Sequence, residues 1–360
     1  MTQLNFMFIV QGEGRGHMTQ AISTYNVLKK AGHKISCVVI GINPHRYIPD
    51  FVRQQIEADI VAVECPGFVM DSKLKAVKLI PSILKNIAKL WDFKISLQAI
   101  HKKINEHKPD VIINFYNPLS GLYNLLFRPA IPTICIAHQY IYLHPKYVFP
   151  KGKLMDRLAI KFYTGLTALG SNKKLALSFY PIDNYSKRSI VGFPPLLRKE
   201  VFEQEIDEGS YLLTYLVNSG YAEEIIRWHN GNPEVEIHCF TDKKDLVEKY
   251  NDKLHFHKLD DKKFLQMMAQ SKGLVSTAGF ESICEAMYMG KPVFMVPVEG
   301  NYEQHCNAHD AFKTGKGIHD SKFNINRFLD FLPTQKHDPI MFRQWVNSAD
   351  EKLLTQLTAL

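Results

Sequence analysis

The chain has 360 residues, 46% of them hydrophobic and 22% charged, with 20 glycines and 18 prolines; this excludes collagen-like, low-complexity and disordered classes. At about 100–200 residues per domain the length fits two domains. Forty-four Lys and Arg against 36 Asp and Glu leave a charge of +8 and a pI near 9.0, which allows an anionic partner of nucleotide-sugar, nucleic-acid or lipid type.

Short β-type runs alternate with longer helical patterns along the chain, the pattern of parallel α/β units. In the first half, Asn5–Val10, Lys34–Ile40, Asp110–Phe115, Ile131–Ala137 and Thr167–Gly170 read as strands, being β-branched or continuously apolar between Gly, Pro, Asn or Asp. A helix is expected from Met18 to Lys30, closed by Gly32, and a long helical pattern from Ser72 to Lys103, broken or kinked at Pro81. This second pattern sets Lys73, Lys75, Lys78, Lys85, Lys89 and Lys94 among apolar residues that include Trp91. It reads either as a solvated lysine face over a core-facing stripe or as a peripheral contact with anionic lipid through Lys73 to Lys94.

Between Ser189 and Arg198, Gly192, Pro194 and Pro195 interrupt both periods, and the domain boundary is placed there. Tyr211–Val217, Val235–Phe240, Lys253–His257, Gly273–Ser276 and Pro292–Val296 are the strands expected in the second half, and Pro339 to Leu360 a last helical stretch. The domains expected are 1–193, 194–335 and a C-terminal segment, 336–360, that packs back on the first. No apolar run approaches the roughly 20 residues of a bilayer span. The first ten residues carry neither a basic leader nor a small-residue cleavage site, so no signal peptide and a cytoplasmic location are expected. Six dispersed cysteines without a CxxC pair read as buried reduced thiols.

Two segments carry chemistry. The first is Gln11-Gly-Glu-Gly-Arg-Gly-His17, between a strand and a helix, where glycines admit close backbone approach and the helix end offers free N–H groups. A nicotinamide-dinucleotide site would need glycine where His17 stands and a carboxylate about 20 residues on, yet the first acid after Glu13 is Asp50. His17 at the mouth of this turn is either a general base, kept neutral at pH 7 beside a positive helix end, or a structural residue bonded across the turn. Glu13 would repel phosphate, so the group bound by Gly14, Arg15 and Gly16 reads as a hydroxyl-bearing acceptor.

The second runs from Gly273 to Ala308. Its Ser276-Thr277-Ala278-Gly279 turn presents small residues and amides at a helix start, suited to a diphosphate. Glu285 lies one to two turns into that helix, where a carboxylate could accept both hydroxyls of a ribose. Glu303 and Gln304 open the next helix and could meet sugar hydroxyls. Each residue also has a plain structural role open to it, since carboxylates favour first helical turns in any case.

With these motifs the sequence resembles the glycosyltransferases of GT-B fold, in particular the undecaprenyl-diphospho-muramoylpentapeptide N-acetylglucosaminyltransferases and, more loosely, the macrolide and plant-type sugar transferases. The likeness is carried by Gly12 to His17, by Ser276 to Gly279 through Glu285 with Gly290-Lys-Pro292, and by Glu303-Gln304 with Asn307-Ala308. Ile131-Pro132 followed by His138-Gln139, and Val191-Gly192 to Pro195, add to it. The resemblance implies an α/β chain of two Rossmann-like parallel-sheet domains facing each other across a cleft. It implies that Glu285 holds the donor ribose, that Ser276 to Gly279 lie along the nucleotide, that Glu303 and Gln304 contact the donor sugar, and that Asn218, Ser219 and Gly220 face the donor phosphates. His17 becomes the candidate base, with Asn114, His138 and Gln139 on the acceptor side. Asn114-Phe-Tyr-Asn-Pro118 replaces a second glycine loop of the relatives, which points to an acceptor other than the peptidoglycan precursor.

The reaction expected is displacement at the anomeric carbon of a UDP-linked hexose or N-acetylhexosamine with inversion, using neither cofactor nor metal. The acceptor expected is a small molecule, glycan or lipid-linked hydroxyl. Two alternatives stay open: a nucleotide-sugar 2-epimerase, and a catalytically silent nucleotide-sugar or lipid-binding protein. Nucleic acid is not expected as a partner, because the lysines lack interleaved stacking aromatics.

Overall fold

The computed structural model describes residues 2–43, 47–65, 69–70, 77–78, 90–216, 221–241, 249–335 and 338–358. Its backbone divides into two compact units, one of Met1–Val69, Leu79–Arg198 and Trp345–Leu360, the other of Met70–Lys78 and Lys199–Gln344.

The first unit holds a seven-stranded parallel sheet in the order β3-β2-β1-β6-β7-β8-β9. Its strands are β1 (Asn5–Gln11), β2 (Lys34–Ile42), β3 (Asp59–Glu64), β6 (Val111–Phe115), β7 (Thr133–Ala137), β8 (Lys173–Leu177) and β9 (Ile190–Phe193). Phe6 to Val10 are buried without a break, because crossover helices cover both faces of a parallel sheet. These are α1 (Gly16–Lys30), α2 (Asp50–Gln55), α3 (Leu90–His107), α4 (Pro118–Phe127) and α5 (Leu154–Thr167). On one face Met7, Ile9, Val39 and Ile112 pack with Leu97, Ile100 and Ile104 of α3. The C-terminal residues close this unit, with Trp345 Nε1 donating to the Ser178 carbonyl at 3.0 Å and Leu353 and Leu357 fully buried.

A six-stranded parallel sheet, β12-β11-β10-β13-β14-β15, forms the second unit. It consists of β10 (Leu212–Tyr215), β11 (Ile237–Phe240), β12 (Leu254–His257), β13 (Gly273–Ser276), β14 (Val293–Met295) and β15 (Gly317–His319). Around it lie α6 (Lys199–Phe202), α7 (Ala222–Asn230), α8 (Asp261–Ala269), α9 (Phe280–Tyr288), α10 (Tyr302–Phe312) and α11 (Ile325–Phe331); α12 (Ile340–Asn347) follows, and α13 (Ala349–Thr358) belongs to the first unit. Val275, Phe294, Ile237 and Leu254 make the core with Ile225 of α7 and Phe328 of α11.

Several expectations change. Thr167–Gly170 is not a strand: Thr167 ends α5, its hydroxyl donates back to the Thr164 carbonyl, and Gly170 turns the chain at φ +67°. The strand follows at Lys173–Leu177. Ile190–Phe193, inside the segment read as interrupted, is a strand, because Gly192 lets the Ile182 carbonyl approach to 2.1 Å from where a Cβ would sit. In the Ser72 to Lys103 pattern, Val77–Lys78 (β5) pairs with Val69–Met70 (β4), and Leu90–His107 is helical (α3); residues 71–76 and 79–89 lie outside the described residues. Lys73, Lys75, Lys85 and Lys89 lie outside the described residues. All six cysteines are buried and free.

Candidate active site

In an open parallel sheet the loops at the carboxyl ends of two neighbouring strands part to opposite sides where the strand order reverses, and a crevice opens there. Each unit has one such point. In the first it lies between β1 and β6, and in the second between β10 and β13. The two glycine-containing motifs leave β1 and β13 at these points.

At the first corner the chain passes from Gln11 through Gly12 to Arg15 and enters α1 at Gly16. Gly12 is confined: a Cβ there would stand 2.6 Å from the Gly41 carbonyl oxygen and from Ile42 Cγ2, while its N–H bonds that carbonyl at 2.8 Å. Gly14 turns at φ +82°, and the Arg15 guanidinium lies 4.8 Å over the Phe51 ring. His17, half-buried in the first turn of α1, donates from Nδ1 to Oε1 of Gln20 across a long 3.4 Å. Since that oxygen can only accept, the ring lone pair resides on Nε2. Loss of water around the ring pulls the His17 pKa down to about 4, with the Gln20 bond acting the other way, so the imidazole is neutral at pH 7.

The opposite wall comes from the residue after β6. Tyr116 adopts φ +60°, in the left-handed region that side chains other than glycine seldom enter, and its ring stacks on His17 at 5.4 Å. The Tyr116 hydroxyl bonds Thr164 Oγ1 at 2.8 Å, and its ring meets Tyr140 and Tyr163 edge-on. Neither Tyr116 nor Gln20 was singled out from sequence. Tyr116 stands within Asn114-Phe-Tyr-Asn-Pro118, and an aromatic between a strand end and an Asn-Pro helix start was the available signal.

Three acceptor-side candidates, Asn114, His138 and Gln139, are buried. Asn114 is wholly buried: Nδ2 donates to the Thr167 carbonyl at 2.7 Å and Oδ1 accepts the Asn117 N–H at 2.8 Å. Asn117 in turn caps α4, accepting from Leu119 N–H. His138 bonds the Leu177 carbonyl through Nδ1 at 2.7 Å and is, like Gln139, buried.

At the second corner Thr277-Ala-Gly279 joins β13 to α9. Ala278 stands at φ +61°, and Asn307 Nδ2 from α10 holds its carbonyl at 3.0 Å. Ser276 Oγ meets Ser282 Oγ at 3.3 Å, and Ser282 bonds the Gly279 carbonyl. The Thr277 hydroxyl is buried with no hydrogen-bond partner among the described residues. Glu285, in the second turn of α9, is 2% exposed. Its carboxylate, that of Glu281 and above all burial push the Cys284 thiol up. Asn301 caps α10 by accepting from the Gln304 N–H; Glu303 on the same turn is partly exposed. Gln304 is buried and its Oε1 accepts from Val298 N–H at 2.8 Å, which braces the preceding loop. Asn218, Ser219 and Gly220 lie outside the described residues.

Among the described residues two groups have metal-ligand composition, Cys37–Asp59–His107 and Glu236–His238–His255, and neither includes a candidate site residue. In the second, hydrogen bonds link Glu236, His238 and His257. Lys263 Nζ must donate to His257 Nδ1 (3.1 Å), which orients His257 Nε2 toward His238 Nδ1 (2.9 Å) and His238 Nε2 toward Glu236 (3.2 Å). Likewise no helix among the described residues is long and apolar enough to cross a membrane.

The family model described as glycosyl transferase family 1 matches residues 4–334. A protein of Methanosarcina acetivorans described as an uncharacterized glycosyltransferase is 23% identical over 341 residues, 87% of this chain and 85% of that one. The UDP-N-acetylglucosamine--N-acetylmuramyl-(pentapeptide) pyrophosphoryl-undecaprenol N-acetylglucosamine transferase of Flavobacterium psychrophilum is 21% identical over 320 residues, covering 83% and 80%. The crystal structure of CalG4, the calicheamicin glycosyltransferase, superposes with a TM-score of 0.66 at 13% identity over 100% of this chain and 98% of that one. The two parallel-sheet units are thus those of the GT-B fold.

Proposed function

The chain belongs to glycosyl transferase family 1, and from that premise we propose that it moves a hexosyl or N-acetylhexosaminyl group from a UDP-sugar to an acceptor hydroxyl, with His17 as the base. The observation that supports this most is His17 itself, neutral at pH 7, backed by Tyr116 and tied through Nδ1 to Gln20 at the β1/β6 switch point.

In the step proposed, His17 Nε2 takes the acceptor proton as the acceptor oxygen bonds the anomeric carbon. The bond from that carbon to the diphosphate oxygen breaks on the opposite face, which inverts the centre, and UDP leaves with the electron pair. A positioned base contributes about 10²–10⁴ in rate. The diphosphate would lie against the Thr277 to Gly279 amides and the α9 N-terminus, which meet its growing charge without a bound metal. Glu285 would accept the ribose hydroxyls and Glu303 would meet the donor sugar. Gly14, Arg15 and Gly16 would flank the acceptor. Gln20 is the orienting residue: by accepting from Nδ1 it selects the tautomer whose Nε2 can act. Lys73 to Lys94 is kept as a proposed lipid contact, on its sequence alone.

The test is a thermal-shift titration with UDP, dTDP and ADP. Binding at 100 times the dissociation constant stabilises by about 2.7 kcal/mol. The reading requires UDP to raise the melting temperature at concentrations where ADP does not, and an equal response to all three would remove the assignment of UDP.

A further inference from the structure

Scattered apolar side chains are normal on a protein surface, whereas a contiguous stripe on one element is not. The outer face of α5 carries such a stripe. Leu154, Leu158 and Phe162 recur at i, i+4 and i+8, with Met155 beside them, and they range from 52% exposed at Leu158 to 76% at Phe162. Val148, just upstream, is 59% exposed. The opposite face of the same helix buries Thr164 and Thr167 and braces Tyr116, so the stripe is not a core face left uncovered by a shift of the helix.

Charge selects the occupant. Lys151, Lys153 and Arg157 are exposed around the stripe, Lys161 is partly so, and Asp156 is the one acid from Lys151 to Thr167. A second copy of the chain would bring these cations against their own kind. An anionic bilayer neutralises them and receives the apolar stripe, as it does for helices that lie in the membrane interface.

We propose that α5 and the residues leading into it are a docking surface for an anionic lipid bilayer. Leu154, Met155, Leu158 and Phe162 enter the boundary between headgroups and acyl chains, and Lys151, Lys153 and Arg157 meet lipid phosphates. This goes beyond the sugar-transfer reading and is independent of it, because adsorption needs no turnover.

The experiment is co-sedimentation of the full chain with vesicles of phosphatidylcholine alone and of phosphatidylcholine with one-third phosphatidylglycerol. Two variants, Leu158→Glu/Phe162→Glu and Lys151→Glu/Lys153→Glu, are compared, with melting temperature and gel filtration alongside. Each basic residue near an anionic surface is worth about fivefold in partitioning. The wild type should bind the anionic vesicles at least about tenfold more tightly than the neutral ones. Each variant should lose about tenfold or more while melting and eluting like the wild type; if one of them melts early, the other decides. Three results would overturn the proposal: no adsorption by the wild type, undiminished adsorption by a folded variant, or a wild-type dimer that Leu158→Glu/Phe162→Glu converts to a monomer without altering adsorption.

Discussion

His17 is held by an amide, not by a carboxylate, and this sets its titration. A carboxylate beside Nδ1 would favour the imidazolium and raise the pKa, whereas Gln20 orients the ring with no charge to offset desolvation. If neutral His17 is the base, kcat/KM is held as the pH falls through 6.5 and declines near 4, where the ring protonates. Gln20→Glu should move that acid limb upward by about a unit or more, since one unit corresponds to 1.36 kcal/mol of differential interaction. A limb that stays near 4 in this variant would separate Gln20 from the mechanism. Tyr116→Phe removes the bond to Thr164 but keeps the stack on His17, so it should cost less turnover than Tyr116→Ala. His17 was legible because a motif frames it. Gln20 and Tyr116 were not, since their roles follow from a ring stack and a left-handed backbone that only the tertiary structure produces. Asn114 and His138 were legible as polar residues at strand ends, but not the backbone carbonyls that they bond, which lie far away in the sequence.

The two corners depend on close packing of the segments that carry them. Asn307→Ala releases the Ala278 carbonyl and with it the left-handed turn at the start of α9. It should weaken UDP binding several-fold by calorimetry while leaving His17 chemistry at saturating donor little changed. Gly121 of α4 lies against α5, where a Cβ would stand 1.9 Å from the Leu166 carbonyl oxygen. Gly121→Ala therefore forces the helices apart at a cost of about 1–3 kcal/mol, lowering the melting temperature by roughly 2–4 °C per kcal/mol. An unchanged melting curve would mean that the helices are not packed this closely. Strands such as β1 and β13 were legible because parallel strands buried on both faces read as unbroken apolar runs. Lys173 and Lys174 hid β8, and β15 is three residues long, too short to carry a period. The apolar Thr167-Ala-Leu run imitated a strand, but its threonine hydroxyl serves the end of α5.

Across the chain, the two sheets reverse their strand order where the motifs stand, β1/β6 in one unit and β10/β13 in the other. A sequence with strands alternating with helices announces such sheets, and glycines at strand ends announce the corners. It does not announce which polar residues the corners bury. The excess of positive charge also acquires a place in the exposed cations around α5, apart from the lysine segment that first drew attention. The most direct test of the central claim is UDP release from a panel of UDP-sugars, with and without candidate acceptors, measured for the wild type and His17→Ala alongside UDP affinity. The account predicts UDP release by the wild type with at least one sugar, and a loss of about 10²–10⁴ in turnover for His17→Ala at unchanged UDP affinity. A wild-type protein that binds UDP yet releases none from any sugar, or a variant that turns over as fast as the wild type, would contradict it.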